Sequence, residues 1–152
     1  MKLSALYARY ASMAGCLQAP LLFVIRLYWG GQFIQTGWGK LAHLERTAGY
    51  FAGLHLPLPL VNATLAGSTE FLGGLALVLG FGARLAALPL IFTMGVAYAT
   101  AERAALSAIG SDPDKFTGAT PFLFLYAALV VLAFGPGKWS LDHWFGRRTA
   151  AD

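Results

Sequence analysis

Charge is what this chain has least of: Asp, Glu, Lys and Arg make up 12% of its 152 residues. Soluble domains run near a quarter, so a conventional wet surface is excluded at the outset. Cysteine is nearly absent as well. The lone Cys16 cannot close an internal disulfide or form a CxxC pair, which excludes self-contained thiol–disulfide chemistry. The three histidines, His43, His55 and His143, fall outside the most apolar runs. Intramembrane haem ligation therefore lacks its ligands, and no His/Cys/Asp/Glu grouping has metal-ligand spacing. No tightly bound metal or cofactor is expected. Basic residues outnumber acidic ones by 11 to 7, but they sit at segment ends. Such scatter suits anionic lipid headgroups, and no nucleic-acid reading motif accompanies it.

What the chain does have is hydrophobic length. Apolar residues make up 57% of it, and its mean hydropathy is +0.60. Four apolar segments stand out, at about Pro20–Trp38, Leu60–Gly82, Leu85–Ala101 and Pro121–Gly135. A membrane helix needs about 20 residues, so the last two require help from their flanks. Pro121 is a good first helical residue and Gly135–Gly137 ("GPG") a clear stop. Ahead of the first segment, Leu3, Leu6, Tyr7, Tyr10, Met13 and Leu17 recur at helical spacing, with Ser4, Arg9 and Ser12 off the stripe. That pattern predicts a helix in the membrane interface. Arg9 interrupts the run that a cleaved secretion signal would need. A second interfacial helix is expected between Leu41 and Pro59.

The expected fold is thus all-α: an integral membrane four-helix transmembrane bundle with interfacial N-terminal and span 1–2 loop helices. Its parts are an interfacial helix or tail over 1–19, the four-helix domain over 20–136, and a cytoplasmic juxtamembrane tail over 137–152. Four spans put both termini on one side, with Lys2, Arg9, Arg84, Lys138, Arg147 and Arg148 there and Lys40, Arg46, Arg103 and Lys115 opposite. The larger basic count predicts cytoplasmic termini.

Polar residues inside the apolar segments are the candidate site. Arg26 lies in the first segment, and Glu70 is the only carboxylate in the four. An arginine at mid-membrane costs about 2.5–3.5 kcal/mol on insertion scales and calls for a partner or a wet cavity. In an antiparallel hairpin the two differ in level by about 6–9 Å at the helical rise, a gap that Gln35 helps to bridge. Arg26, Gln35 and Glu70 are accordingly expected to form one polar core, in a cleft opened by Gly30, Gly73 and Gly74. Gly37 and Gly80 complete the set of packing glycines. Lys40 and Arg84, at span ends, read as interfacial anchors. The core either fixes helix register or forms a pocket for a quinone headgroup, an acid or a proton.

Three stretches occur in order: "RLYWGGQFIQTGWGKL", "GSTEFLGGLALVLGFGARLAALPL" and "FGPGKWSLDHW". Together they resemble the DoxX family of small bacterial four-span membrane proteins. Arg26, Gly37, Lys40, Glu70, Gly73, Gly74, Gly80, Arg84, Gly135 and Asp142 fall on the family's patterned positions. The resemblance implies a bundle in the bacterial inner membrane, and for function a non-haem accessory subunit of a quinone-linked redox complex, concerned with sulfur oxidation or oxidative stress. Its implied contacts are membrane lipid, quinone and a soluble or membrane redox partner. Many relatives carry a glutamate in a "YEYP"-like stretch before the fourth span; here "FTGATPF" has none. A role resting on that acid does not carry over. No catalytic residue is assigned, and two other readings stay open: a structural anchor that recruits a soluble oxidoreductase, and a small transporter.

Overall fold

The computed structural model describes residues 2–149 and the side chains of residues 6–146. Residues 1 and 150–152, and the side chains of Lys2, Leu3, Ser4, Arg147 and Arg148 used in the sequence reading, lie outside the described ones. Among the described residues the regular structure is entirely helical. The helices are α1 (Lys2–Cys16), α2 (Gln18–Ala42), α3 (Leu44–Gly53), α4 (Pro59–Leu79), α5 (Ala83–Thr100), α6 (Arg103–Ser107), α7 (Pro113–Thr117), α8 (Pro121–Phe134) and α9 (Leu141–Thr149).

Their ends follow local chemistry. Proline opens α4, α7 and α8, where its missing amide costs no hydrogen bond. Asp112 caps α7 through its side chain, accepting from the Lys115 amide. α4 stops at Gly80, whose φ of +66° is a left-handed conformation that glycine adopts without strain. The Gly80 amide returns to the Leu77 carbonyl and the Phe81 amide to that of Ala76, the paired bonds of a Schellman ending.

α2 and α4 run antiparallel in close contact, and small residues set the distance. A Cβ on Gly74 would sit 2.7 Å from the Gly30 carbonyl oxygen and 2.8 Å from the Ile34 nitrogen. A Cβ on Gly37 would lie 2.7 Å from the Gly67 carbonyl oxygen. The two backbones therefore touch, as small residues permit in membrane helices. α5 packs on α4 and α8, and α8 reaches back to α2. Between them lies an apolar core of Phe33, Leu77, Ala83, Leu90, Met94, Ala128 and Val131. Phe33 meets Phe124 edge-on across it, ring centres 4.8 Å apart.

The outside is as apolar as the core. Leu85 is 75% exposed and Phe92 74%, whereas Arg26 is 1% and Glu70 3% exposed. Side chains sorted this way belong to a molecule bathed in hydrocarbon. Two helical stretches, Leu6–Ala42 and Ala83–Thr100, are long and apolar enough to cross a membrane. α4 has the length, 21 residues, but Asn62, Thr64, Ser68, Thr69 and Glu70 dilute its hydropathy. α8 is apolar throughout, yet its 14 residues span only about 21 Å of a hydrocarbon core about 30 Å thick.

Candidate functional site

The α2–α4 seam holds a polar cluster at each end, and the two are separate. At the end nearer the chain termini, Arg26 is enclosed. Its Nη1 donates to the Leu77 carbonyl at 3.2 Å and its Nη2 to the Trp139 carbonyl. The Phe23 ring lies 5.8 Å from the guanidinium carbon, within cation–π range. A side chain at Gly80 would collide with this guanidinium and with Ser140. Backbone carbonyls at the end of α4 and in the α8–α9 connection thus replace the expected carboxylate partner.

Asp142 completes this end. Its Oδ1 accepts from the Gly82 amide at 2.7 Å and its Oδ2 from the Ala83 amide at 3.1 Å. The Asp142 amide in turn donates to the Gly80 carbonyl at 2.9 Å. A carboxylate from α9 therefore caps α5, where Gly82 has no side chain to do so, and its charge suits the positive end of the helix. Arg84, exposed, donates to the Ala133 carbonyl at 3.3 Å. Residues 137–142 are consequently held against α2, α4 and α5.

At the opposite end, Lys40 Nζ meets Glu70 Oε2 at 2.5 Å. Glu70 is buried, while the Lys40 side chain keeps 28% of its surface exposed. The pair forms part of the wall of a cleft of about 550 Å³ between α2, α3, α4 and α5, with Pro121 and Phe124 of α8 at its inner edge. Tyr50 and Phe51 of α3 and Phe92 of α5 supply aromatic walls, and Asn62 and Glu102 line it as well. Thr47 ties α3 to α2 by donating to the Lys40 carbonyl at 3.3 Å.

The expected Arg26–Gln35–Glu70 core is thus corrected. Gly80 stands beside Arg26, and Glu70 lies ten residues before it on α4, about 15 Å along the axis. The estimate of 6–9 Å failed because α2 runs past Trp38 to Ala42. Arg26 then falls level with the end of α4, and Lys40 stays on the helix instead of anchoring in the interface. Gln35 is exposed, two residues and roughly 200° round the helix from both Phe33 and Gly37. Gly30, Gly37 and Gly74 do line the α2–α4 contact, but Gly73 faces Leu90 of α5. Sequence reasoning missed the Lys40–Glu70 pair, although Lys40 lies on the same stripe as Arg26, Gly30, Phe33 and Gly37. It also missed Trp139, whose contribution is a backbone carbonyl and carries no signal in residue type.

The family model for DoxX matches residues 21–103, more than half of the chain. That span holds both members of the Lys40–Glu70 pair, and Arg26. "Uncharacterized membrane protein Rv3486" of Mycobacterium tuberculosis is 30% identical over 144 residues, covering 87% of this chain and 85% of its own length. "Inner membrane protein YphA" of Escherichia coli is 29% identical over 129 residues, covering 84% of this chain and 92% of its own. No solved structure matches. With an all-helical fold among the described residues and a matched span that holds Arg26 and the Lys40–Glu70 pair, the chain belongs to the DoxX family of membrane proteins.

Proposed function

We propose that this protein is a four-span inner-membrane subunit whose cleft receives the polar head of a lipid-soluble quinone-class ligand, in the service of a redox complex. The Lys40–Glu70 pair in a mainly apolar cleft carries the reading. A volume of about 550 Å³ suits a small-molecule site lined by apolar and aromatic groups with few polar ones. Lys40 is the accessible member, so an ammonium N–H is available to a ligand carbonyl while Glu70 holds the charge in place. The aromatic walls match a flat ring. The four apolar segments carry no histidine or cysteine, so in this reading the ligand would carry any redox change.

For topology, the antiparallel order of α2, α4, α5 and α8 supports four crossings with both termini cytoplasmic, α8 being lengthened by its flanks. Reporter fusions at both termini should then read cytoplasm and one inserted near Gly53 the opposite face. Disagreement between the two termini would overturn four spans.

The ligand is tested by reconstituting the purified chain in nanodiscs and following quenching of its tryptophans by a short-chain quinone. Saturable quenching should occur in the wild type and disappear in the charge-free K40M/E70L variant. Unsaturable quenching that is identical in both would leave the protein as a structural anchor and refute the quinone site.

A further inference from the structure

A second cavity lies at the termini end, away from the quinone cleft and independent of it. It is larger, about 930 Å³, and is an open hollow bordered by the end of α1, the starts of α2 and α5, the α8–α9 connection and α9. Among the described residues its cations are Arg84 and Lys138, both exposed, and its carboxylate is Asp142. That carboxylate is already engaged, one oxygen on the Gly82 amide and the other on that of Ala83. Arg26 lies directly behind it, against Gly80 and Trp139. Three cations against one occupied acid leave a local surplus of positive charge.

Backbone geometry gives this surplus a fixed shape. Gly135 and Gly137 adopt φ values of +76° and +79°, which let the loop turn back between α8 and α9. A Cβ on Gly135 would lie 3.2 Å from Arg84 Nε, so the guanidinium rests on the loop backbone. It spends one N–H on the Ala133 carbonyl and retains others in a planar fork. Beside these cations the cavity offers apolar walls from Leu85, Phe134 and Pro20. Trp139 is exposed at the same level, as indoles are at the headgroup region.

We infer that this cavity binds the phosphodiester of an anionic phospholipid, Arg84 and Lys138 taking the phosphate oxygens and the apolar walls the start of the acyl chains. A cationic rim over apolar walls complements an anionic lipid better than it does a zwitterionic one or a free ion.

The test uses the full chain in phosphatidylcholine nanodiscs, titrated with cardiolipin or phosphatidylglycerol and read by native mass spectrometry. Anionic lipid should be retained in preference to phosphatidylcholine. K138Q should weaken that retention about fivefold, and R84Q/K138Q by more than tenfold. Among the described residues Lys138 makes no hydrogen bond or ion pair that the change would break, so K138Q keeps the test clear of misfolding. K115Q, at the far end, should leave retention unchanged. Equal retention of all lipids, an unaltered K138Q, or an equal loss in K115Q would overturn the assignment. So would displacement by millimolar inorganic phosphate regardless of acyl chains, which would mark a free-phosphate site.

Discussion

Removing Lys40 is the sharpest perturbation this structure offers, because its consequences differ from those of removing its partner. Glu70 is 3% exposed, and Lys40 approaches it at 2.5 Å. In Lys40→Met the carboxylate keeps its burial and loses its counter-ion. Breaking a buried pair from one side costs about 3–5 kcal/mol, most of it the stranded charge. In Glu70→Gln the stranded group is the ammonium, whose side chain is already 28% exposed. It can rotate toward the cleft mouth and recover hydration, so about 1–2 kcal/mol is expected there. The double K40M/E70L change removes both charges and their desolvation, and should lie within about 1 kcal/mol of wild type or above it. Thermal and denaturant unfolding in a single detergent would rank the four proteins, with accumulation in the membrane as a second readout. The expected order is wild type close to the double variant, then E70Q, then K40M. If K40M matched wild type, or the double variant merely summed the two single losses, Lys40 and Glu70 would not be a buried pair and the cleft reading would fall with it.

Gly37→Ala should destabilise by about 1–3 kcal/mol, since its methyl would press on the α4 backbone near Gly67, whereas Gly39→Ala, facing open space, should be neutral or mildly stabilising in the same unfolding assay. Asp142→Ala should cost about 1.5–3 kcal/mol through the loss of two charge-assisted bonds to α5, and amide exchange at Gly82 and Ala83 should rise with it. Unchanged protection there would refute the cap. Arg26→Leu removes the side chain that joins the Leu77 and Trp139 carbonyls and should release the α8–α9 connection, seen as faster proteolysis after Lys138. Purified protein should show no Soret band and no stoichiometric iron, copper or zinc, because its apolar segments carry no histidine.

The positions of the long apolar helices were legible in the sequence because proline and glycine punctuate it, whereas the short α6, α7 and α9 were not. Pro59, Pro121, Gly80 and Gly135 each stand within two residues of a helix end. The short α3 was legible too, from apolar residues recurring between charged ones. Partner choice was not. Two cations, Arg26 and Lys40, share one stripe of α2, and only one acid faces them from α4. Which cation reaches Glu70 depends on helix register, and an error of four residues at the end of α2 shifts the levels by about 6 Å. That shift is enough to exchange one partner for the other. Arg26 was harder still, because its acceptors are main-chain carbonyls, exposed only where α4 ends and the α8–α9 connection passes. Residue type cannot announce a carbonyl. Asp142 could be placed on a patterned position, but its role as a cap for a helix sixty residues earlier requires the fold.

The two buried charges of the α2–α4 seam answer the same cost in different ways, and the difference assigns their tasks. Each would be expensive in hydrocarbon, by about 2.5–3.5 kcal/mol even on the gentler insertion scales. Arg26, fully enclosed, meets that cost with two backbone carbonyls and a ring face. Nothing dissolved in the membrane can reach it without parting α4 from α9. Its task is therefore architectural: it ties the end of α4 to the connection that Asp142 fastens to α5. Lys40 and Glu70 meet the cost with each other, at the wall of a cleft that reaches one of them. An arriving acceptor can share the ammonium without breaking the helix seam. The seam itself is held by Gly30, Gly37 and Gly74, which carry no charge. On the proposed reading, the Arg26 end and the glycines hold α2 against α4 while the Lys40–Glu70 pair meets the ligand.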